Sequence, residues 1–138
     1  MASLNYQHSA LRQYQSMDVA SEVHVASPHK LIEMLLAGAL ARIARAKGAI
    51  MRRDIELKIE SILSACAIIE NLLISLDLKA GGTIASNLAS LYDYMLRRLV
   101  YANAHNDIPA LEEVSRLLGE IKSAWDAIPV SLRSSTVS

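Results

Sequence analysis

The stretch "IELKIESILSACAIIENLLISL", residues 55–76, decides the fold. Ile55, Ile59, Ile62, Cys66, Ile69, Leu73 and Leu76 recur there at alternating spacings of four and three. On a helix, where each residue turns about 100°, this draws one apolar seam along one side. A strand would need strict alternation, which runs such as Ala67-Ile68-Ile69 break. A seam of this length calls for partner helices.

The flanking segments supply them. "SPHK", 27–30, opens a helix: Ser27 suits the N-cap and Pro28 the first helical position. Ile32, Leu36, Ala39, Ile43, Ala46 and Ile50 continue it in the same register. Asp54 caps the helix of the opening stretch, and "DLKAGGT" ends it, with Gly81 and Gly82 free to take positive φ. Thr83 is the expected cap of a third helix through Ile84, Leu88, Leu91, Met95, Leu99 and Ala102. After "NAHND", Asp107 caps a fourth helix bearing Leu111, Val114, Leu118, Ile121, Trp125 and Ile128, and Pro129 stops it. Four such helices with short connections predict an all-α, antiparallel up-down four-helix bundle over residues 27–129. Residues 1–26 have weak periodicity. Tyr6, Leu11 and Tyr14 can share a face of a short helix, which is marginal alone and reads as a cap segment. Residues 130–138 read as a frayed polar tail.

Composition agrees. The 138 residues are 52% apolar but 4% aromatic, without Phe, so the core is aliphatic and one domain suffices. Fourteen acids balance fourteen bases, which gives no electrostatic case for nucleic acid. The short basic run Lys47 to Arg53 sits where a helix ends and complements its dipole. Cys66 is the single cysteine, excludes an internal disulfide, and reads as a small hydrophobe. "MASLNYQHS" lacks the basic start and apolar core of a secretory signal, and no uncharged apolar run suits a membrane span, so a cytoplasmic chain is expected.

The sequence offers no catalytic pattern. Di-metal bundles need inward Glu and Glu-x-x-His pairs, and none occurs. Glu22, His24 and His29 cluster only at the N-terminal boundary, and His8 and His105 stand in polar stretches; all read as solvated. No HExxH, phosphate-cradling Gly loop or GxSxG is present. The expectation is a non-enzyme without metal or cofactor. A metal-dependent bundle enzyme is the least favoured alternative.

What exceeds the needs of a core points to binding. Leu63, Ile68 and Leu72 lie beside the second seam; Tyr92, Leu96 and Val100 widen the third. They are either ordinary flanking core or a surplus apolar face. Tyr94 and Tyr101, a heptad apart, point away from the seam beside Arg97 and Arg98. Each either meets a partner or lies along the surface under an Arg stem. A surplus face suits an amphipathic segment laid into a groove, with the N-terminal residues Tyr6, Tyr14 and Met17 as its cover when empty. A structural bundle that self-associates through the same faces is the rival reading.

Several motifs resemble one family. They are "VASPHKLIEMLLAGAL" (25–40), SLD (75–77), GG-x-I-A-x-N-L (81–88), LYDYM-x-RRL (91–99), AN (102, 103), and L-x-EV (111–114) before a closing AW (124, 125). Together they resemble the flagellin-specific export chaperones, the FliS family, over about residues 6–128. The link "ARIARAKGAIMRRD" (41–54) carries no signature. The resemblance implies a cytoplasmic chaperone. Such a protein binds the disordered C-terminal segment of flagellin, prevents its premature polymerisation and brings it to an export-gate component of the flagellar type III apparatus. It also implies that the family's N-terminal Tyr maps onto Tyr14, in a segment that lies over part of the client surface. The partner-binding residues expected are Tyr14, Met17, Ile68, Leu72, Tyr92, Tyr94, Leu96, Val100 and Tyr101. Stable membrane insertion and nucleic acid are not expected.

Overall fold

The computed structural model describes residues 27–132. Four helices follow one another: α1 Pro28–Met51, α2 Ile55–Ile74, α3 Leu78–His105 and α4 Ile108–Asp126, then a 3-10 turn at Val130–Leu132. Each packs on its chain neighbour, and α1 also packs on α4, which closes the antiparallel four-helix bundle. The described residues contain no strand.

The helix starts follow local chemistry. Ser27 Oγ accepts from the Lys30 amide at 3.1 Å, with Pro28 in the first turn. Asp54, Asp77 and Asp107 cap α2, α3 and α4, each accepting from the amide three residues on at 3.1, 3.0 and 2.9 Å. Each cap satisfies one amide that the first turn leaves open. The α1–α2 turn carries Arg53 at φ 59°, and Asn106 ends α3 at φ 51°. Thr83 was the expected cap of α3. Instead Asp77 starts a single helical turn, and Gly82, at φ 55° and ψ −132°, breaks it from the rest. The first turn therefore belongs to α3, not to the preceding loop. The fourth helix stops at Asp126, short of the expected Pro129.

The core is aliphatic, built on Leu36, Ile43, Ile62, Ile69, Leu99 and Leu118, with Met95 as the filler. Small residues Ala39, Ala46 and Ala65 are fully buried, so α1 and α2 approach closely. The seams of α1 and α4 lie where their spacing puts them. That of α2 holds at Ile62 and Ile69, and at Cys66, Leu73 and Leu76 packed against the core, but fails at its start. Ile55 and Ile59 are exposed, while Lys58, Ile62, Ala65, Ile69 and Leu72 face inward. On α3, Ile84 is 74% exposed. The reason on α2 is visible at Lys58. Its buried ammonium donates to the Asn103 carbonyl at 2.9 Å and to Asn106 Oδ1 at 2.7 Å, completing the C-terminus of α3. A cation there complements the helix dipole and satisfies end carbonyls. Lys58 thus occupies the inward position in the first turns of α2, where Ile55 and Ile59 remain exposed.

Polar ties join the helices elsewhere. Arg45 Nε donates to the buried Ser61 Oγ at 2.8 Å and Arg42 Nε to Ser64 Oγ at 3.2 Å, both between α1 and α2. Lys47 pairs with Glu112 across α1 and α4 at 2.8 Å, so this member of the basic run acts between helices.

Candidate functional site

Among the described residues, two apolar regions stand open on the sides of the bundle. The first is a stripe on the outside of α2. Ile55, Ile59 and Leu63, four residues apart, are 65%, 39% and 52% exposed. Four-residue spacing stacks side chains along one face. The Lys58–Asn103 bond sets the antiparallel register of α2 and α3. It brings Val100 and Leu96 roughly level with Ile59 and Leu63. Val100 is 64% exposed and Leu96 half-buried against the core, both on the helix that packs beside α2.

The second region is a pocket of about 190 Å³ at the opposite end of the bundle. Leu36 of α1, Leu72 of α2, Tyr92 of α3 and Trp125 of α4 line it, and Ile84 stands at its side. Its lining is almost entirely apolar; Ser75 and Asp77 contribute the polar edge. Burial pushes the Tyr92 phenol up to about 12, so it stays neutral there.

Trp125 is held in place by a reciprocal clasp. Its Nε1–H donates to the His29 carbonyl at 2.9 Å. His29 Nε2 lies 2.9 Å from the Trp125 carbonyl, which only accepts, so the imidazole donates from Nε2. The two rings stack at 4.6 Å and 9°. His29 is thus buried, not solvated as its neighbourhood in the sequence suggested. A clasp between the first turn of α1 and the last of α4 follows from up-down topology, which returns the fourth helix to the end where the first began. Residue pattern alone gave no sign of the pairing.

The tyrosines on the back of α3 have partners within the bundle. The Tyr94 hydroxyl donates to Glu113 at 2.7 Å, and Arg98 Nε donates to the same carboxylate at 2.9 Å. The hydrogen bond from Tyr94, with that from Arg98, holds the Glu113 carboxyl below the usual carboxylate range. The bond to Glu113 raises the Tyr94 phenol in turn. Arg98 also lies over the Tyr101 ring, 4.9 Å from its centroid, and Tyr101 stacks on His105 at 4.2 Å. Tyr94 is a strut between α3 and α4. Tyr101, 41% exposed, keeps an open edge.

The nine residues singled out in the sequence therefore fall into distinct places. Ile68, Leu72 and Tyr92 are core residues, not a surplus outer face. Ile68 and Leu72 are absorbed where α2 packs on α1 and α3, and Tyr92 where α3 packs on α2 and α4. Leu72 and Tyr92 reach the exterior only through the pocket, and Ile68 is not part of it. Val100 and Tyr101 are exposed on α3, Leu96 is partly buried against the core, and Tyr94 is tied to Glu113. Tyr14 and Met17 lie outside the described residues. Ile55 and Ile59, placed on the core seam by their spacing, are open instead, and Leu63, read as either flanking core or surplus face, is open with them. Lys58, four residues before Ile62 and off the predicted seam, takes the inward place there instead.

Cys66 is half-buried, and burial with the nearby Glu70 pushes its thiol up to about 11, which makes it a poor nucleophile. Among the described residues no group of three His, Cys, Asp or Glu side chains could hold a metal ion. None of the described helices is long and apolar enough to cross a membrane.

Comparison with known proteins places this surface in context. The sequence profile of the family described as "Flagellar protein FliS" matches residues 10–131. The flagellar secretion chaperone FliSB of Pseudomonas aeruginosa is 46% identical over 123 residues, 89% of this chain and 98% of that protein. The flagellar secretion chaperone FliS of Salmonella typhimurium is 46% identical over 124 residues, 89% and 92% of the two chains. That of Bacillus subtilis is 36% identical over 105 residues, 76% and 77% of the two. With the profile spanning all four helices and relatives matched along most of their length, this chain belongs to the FliS family of flagellar proteins.

Proposed function

We propose that this protein is a cytoplasmic chaperone for flagellin: it binds the disordered C-terminal region, prevents premature polymerisation, and delivers it to the flagellar type III export apparatus. The observation that carries the reading is apolar surface left open in two places on a bundle whose core is already complete. Its relatives are named as flagellar secretion chaperones, which supports a flagellar client.

The physics fits a disordered client. Ordering such a segment on binding costs several kcal/mol, so a long, wrapped interface is needed rather than one small patch. The stripe on α2 and α3 suits an amphipathic helix laid into a groove. The pocket suits a single apolar anchor, with Leu72 and Tyr92 as its floor. Leu96, Val100 and Tyr101 are the proposed client contacts on α3; Ile68 supports them from within, and Tyr94 holds α3 against α4. Tyr14 and Met17 are proposed to cover this surface when no client is present. A component of the export gate is the second proposed partner, and the open edge of Tyr101 is available to it. Catalysis has no part in this reading.

Isothermal titration of the full chain with the C-terminal segment of the flagellin from the same organism tests it. A one-to-one complex is expected, and absence of heat and of complex would sink the reading. A stable homodimer in which Leu63 and Val100 are inaccessible would instead favour self-association.

A further inference from the structure

The pocket has three firm walls and one loose one. Leu36 and Leu72 belong to the core, and the His29 clasp pins Trp125. The fourth side is the start of α3, which is built in two pieces. Residues 78–81 form one turn with their own cap: Asp77 Oδ1 accepts from the Ala80 amide at 3.0 Å, and the Gly81 amide donates to the Asp77 carbonyl at 2.8 Å. Gly82 then adopts φ 55° and ψ −132°, a combination that glycine takes readily and residues with a Cβ do not. A Cβ at position 82 would meet no atom within 4 Å, so the backbone, not packing, calls for glycine there. Every residue from 77 to 84 is exposed, so no buried side chain ties the turn to the bundle. Segments with few buried contacts open at low cost. Asp77 and Gly81 nevertheless line the pocket, and Leu78, 58% exposed, rides on the turn without a core partner.

We propose that residues 78–81 are a hinged flap, pivoting at Gly82, which sets the width of the pocket mouth. It swings out to admit an apolar side chain and returns with Leu78 over it. That the side chain belongs to flagellin rests on the function proposed above; the hinge itself does not.

The test uses the full chain. Relaxation-dispersion NMR of the free protein should show microsecond-to-millisecond exchange at residues 78–82 and at the Leu78 methyls, absent from residues 92–102. Binding of the flagellin C-terminal segment should quench it. Gly82→Ala should keep the helical circular dichroism while weakening that binding roughly tenfold, because an L-residue is strained at this backbone. Flat dispersion at 78–82 in the free protein overturns the flap. So does tail binding that leaves this exchange untouched, or Gly82→Ala binding within twofold of the parent. If the tail fails to bind the parent at all, the flagellin reading falls, and dispersion in the free chain alone decides the hinge.

Discussion

Removing the outer stripe separates binding from folding. Consider Ile55→Ala, Leu63→Ala and Val100→Ala combined. Full burial of such side chains is worth about 1.5–3 kcal/mol each. They are 65%, 52% and 64% exposed in the free chain, so a client has only that share left to cover. Alanine also retains its Cβ. About 1 kcal/mol per site remains, or about 3 kcal/mol together, which is roughly a hundredfold in affinity. The share already covered in the free chain is the smaller one, about 0.6 kcal/mol per site, and is offset in part by the higher helix propensity of Ala. The unfolding free energy should fall by less than about 2 kcal/mol for the three together. Titration calorimetry with the flagellin C-terminal segment reads the first quantity, and urea unfolding followed by circular dichroism reads the second. Ile69→Ala, fully buried, is the contrast: it should lose about 2–5 kcal/mol of stability. A triple variant that is stable and binds within about threefold of the parent would refute the assignment of this face to the client.

Lys58→Met keeps the length of the side chain but strips the C-terminus of α3 of two hydrogen bonds. Charge-assisted bonds of this kind contribute about 1.5–3 kcal/mol, so urea unfolding should show a loss of about 2–4 kcal/mol; a loss below about 0.5 kcal/mol would contradict the capping role. In base, the thiol of Cys66 goes from 9.0 to about 11 and the phenol of Tyr92 from 10.0 to about 12 on folding. The unfolded chain gives up these protons first, so stability is intact below pH 9 and falls between about pH 9 and 12, by about 1.4 kcal/mol per pH unit for each group. Cys66→Ala should flatten the fall in urea midpoint between pH 9 and 11, and an unchanged slope would exclude the thiol. Tyr94→Phe removes the leading cause of the lowered Glu113 carboxyl, which should then titrate higher by carbon-detected NMR; an unmoved titration would show that Arg98 alone holds it.

Helix number, order and three of the four starts can be read in the sequence because they depend on local chemistry: Ser27, Asp54 and Asp107 cap through their own next turn. The start of α3 misleads because both Asp77 and Thr83 are competent caps, and the two-glycine run hides a helical turn. The first turns of α2 mislead for a different reason. Ile55 and Ile59 fit the seam by period, but the inward place there goes to Lys58, whose partners on α3 lie some 45 residues away in the chain. The tyrosines illustrate a third limit. Helical spacing puts Tyr94 on the back of α3, but only the approach of α4 supplies Glu113. The family motifs GG-x-I-A-x-N-L and AW fall at the pocket, which Gly81 and Trp125 both line.

The His29–Trp125 clasp also governs how the protein can be handled in the laboratory. By tying the first turn of α1 to the last of α4, it makes both ends of the bundle chain leave beside the pocket. A fusion joined directly at residue 27 or after residue 132 therefore starts near the mouth of that pocket. The turn at Arg52–Asp54, at the far end, is the place to insert a label that leaves the pocket clear.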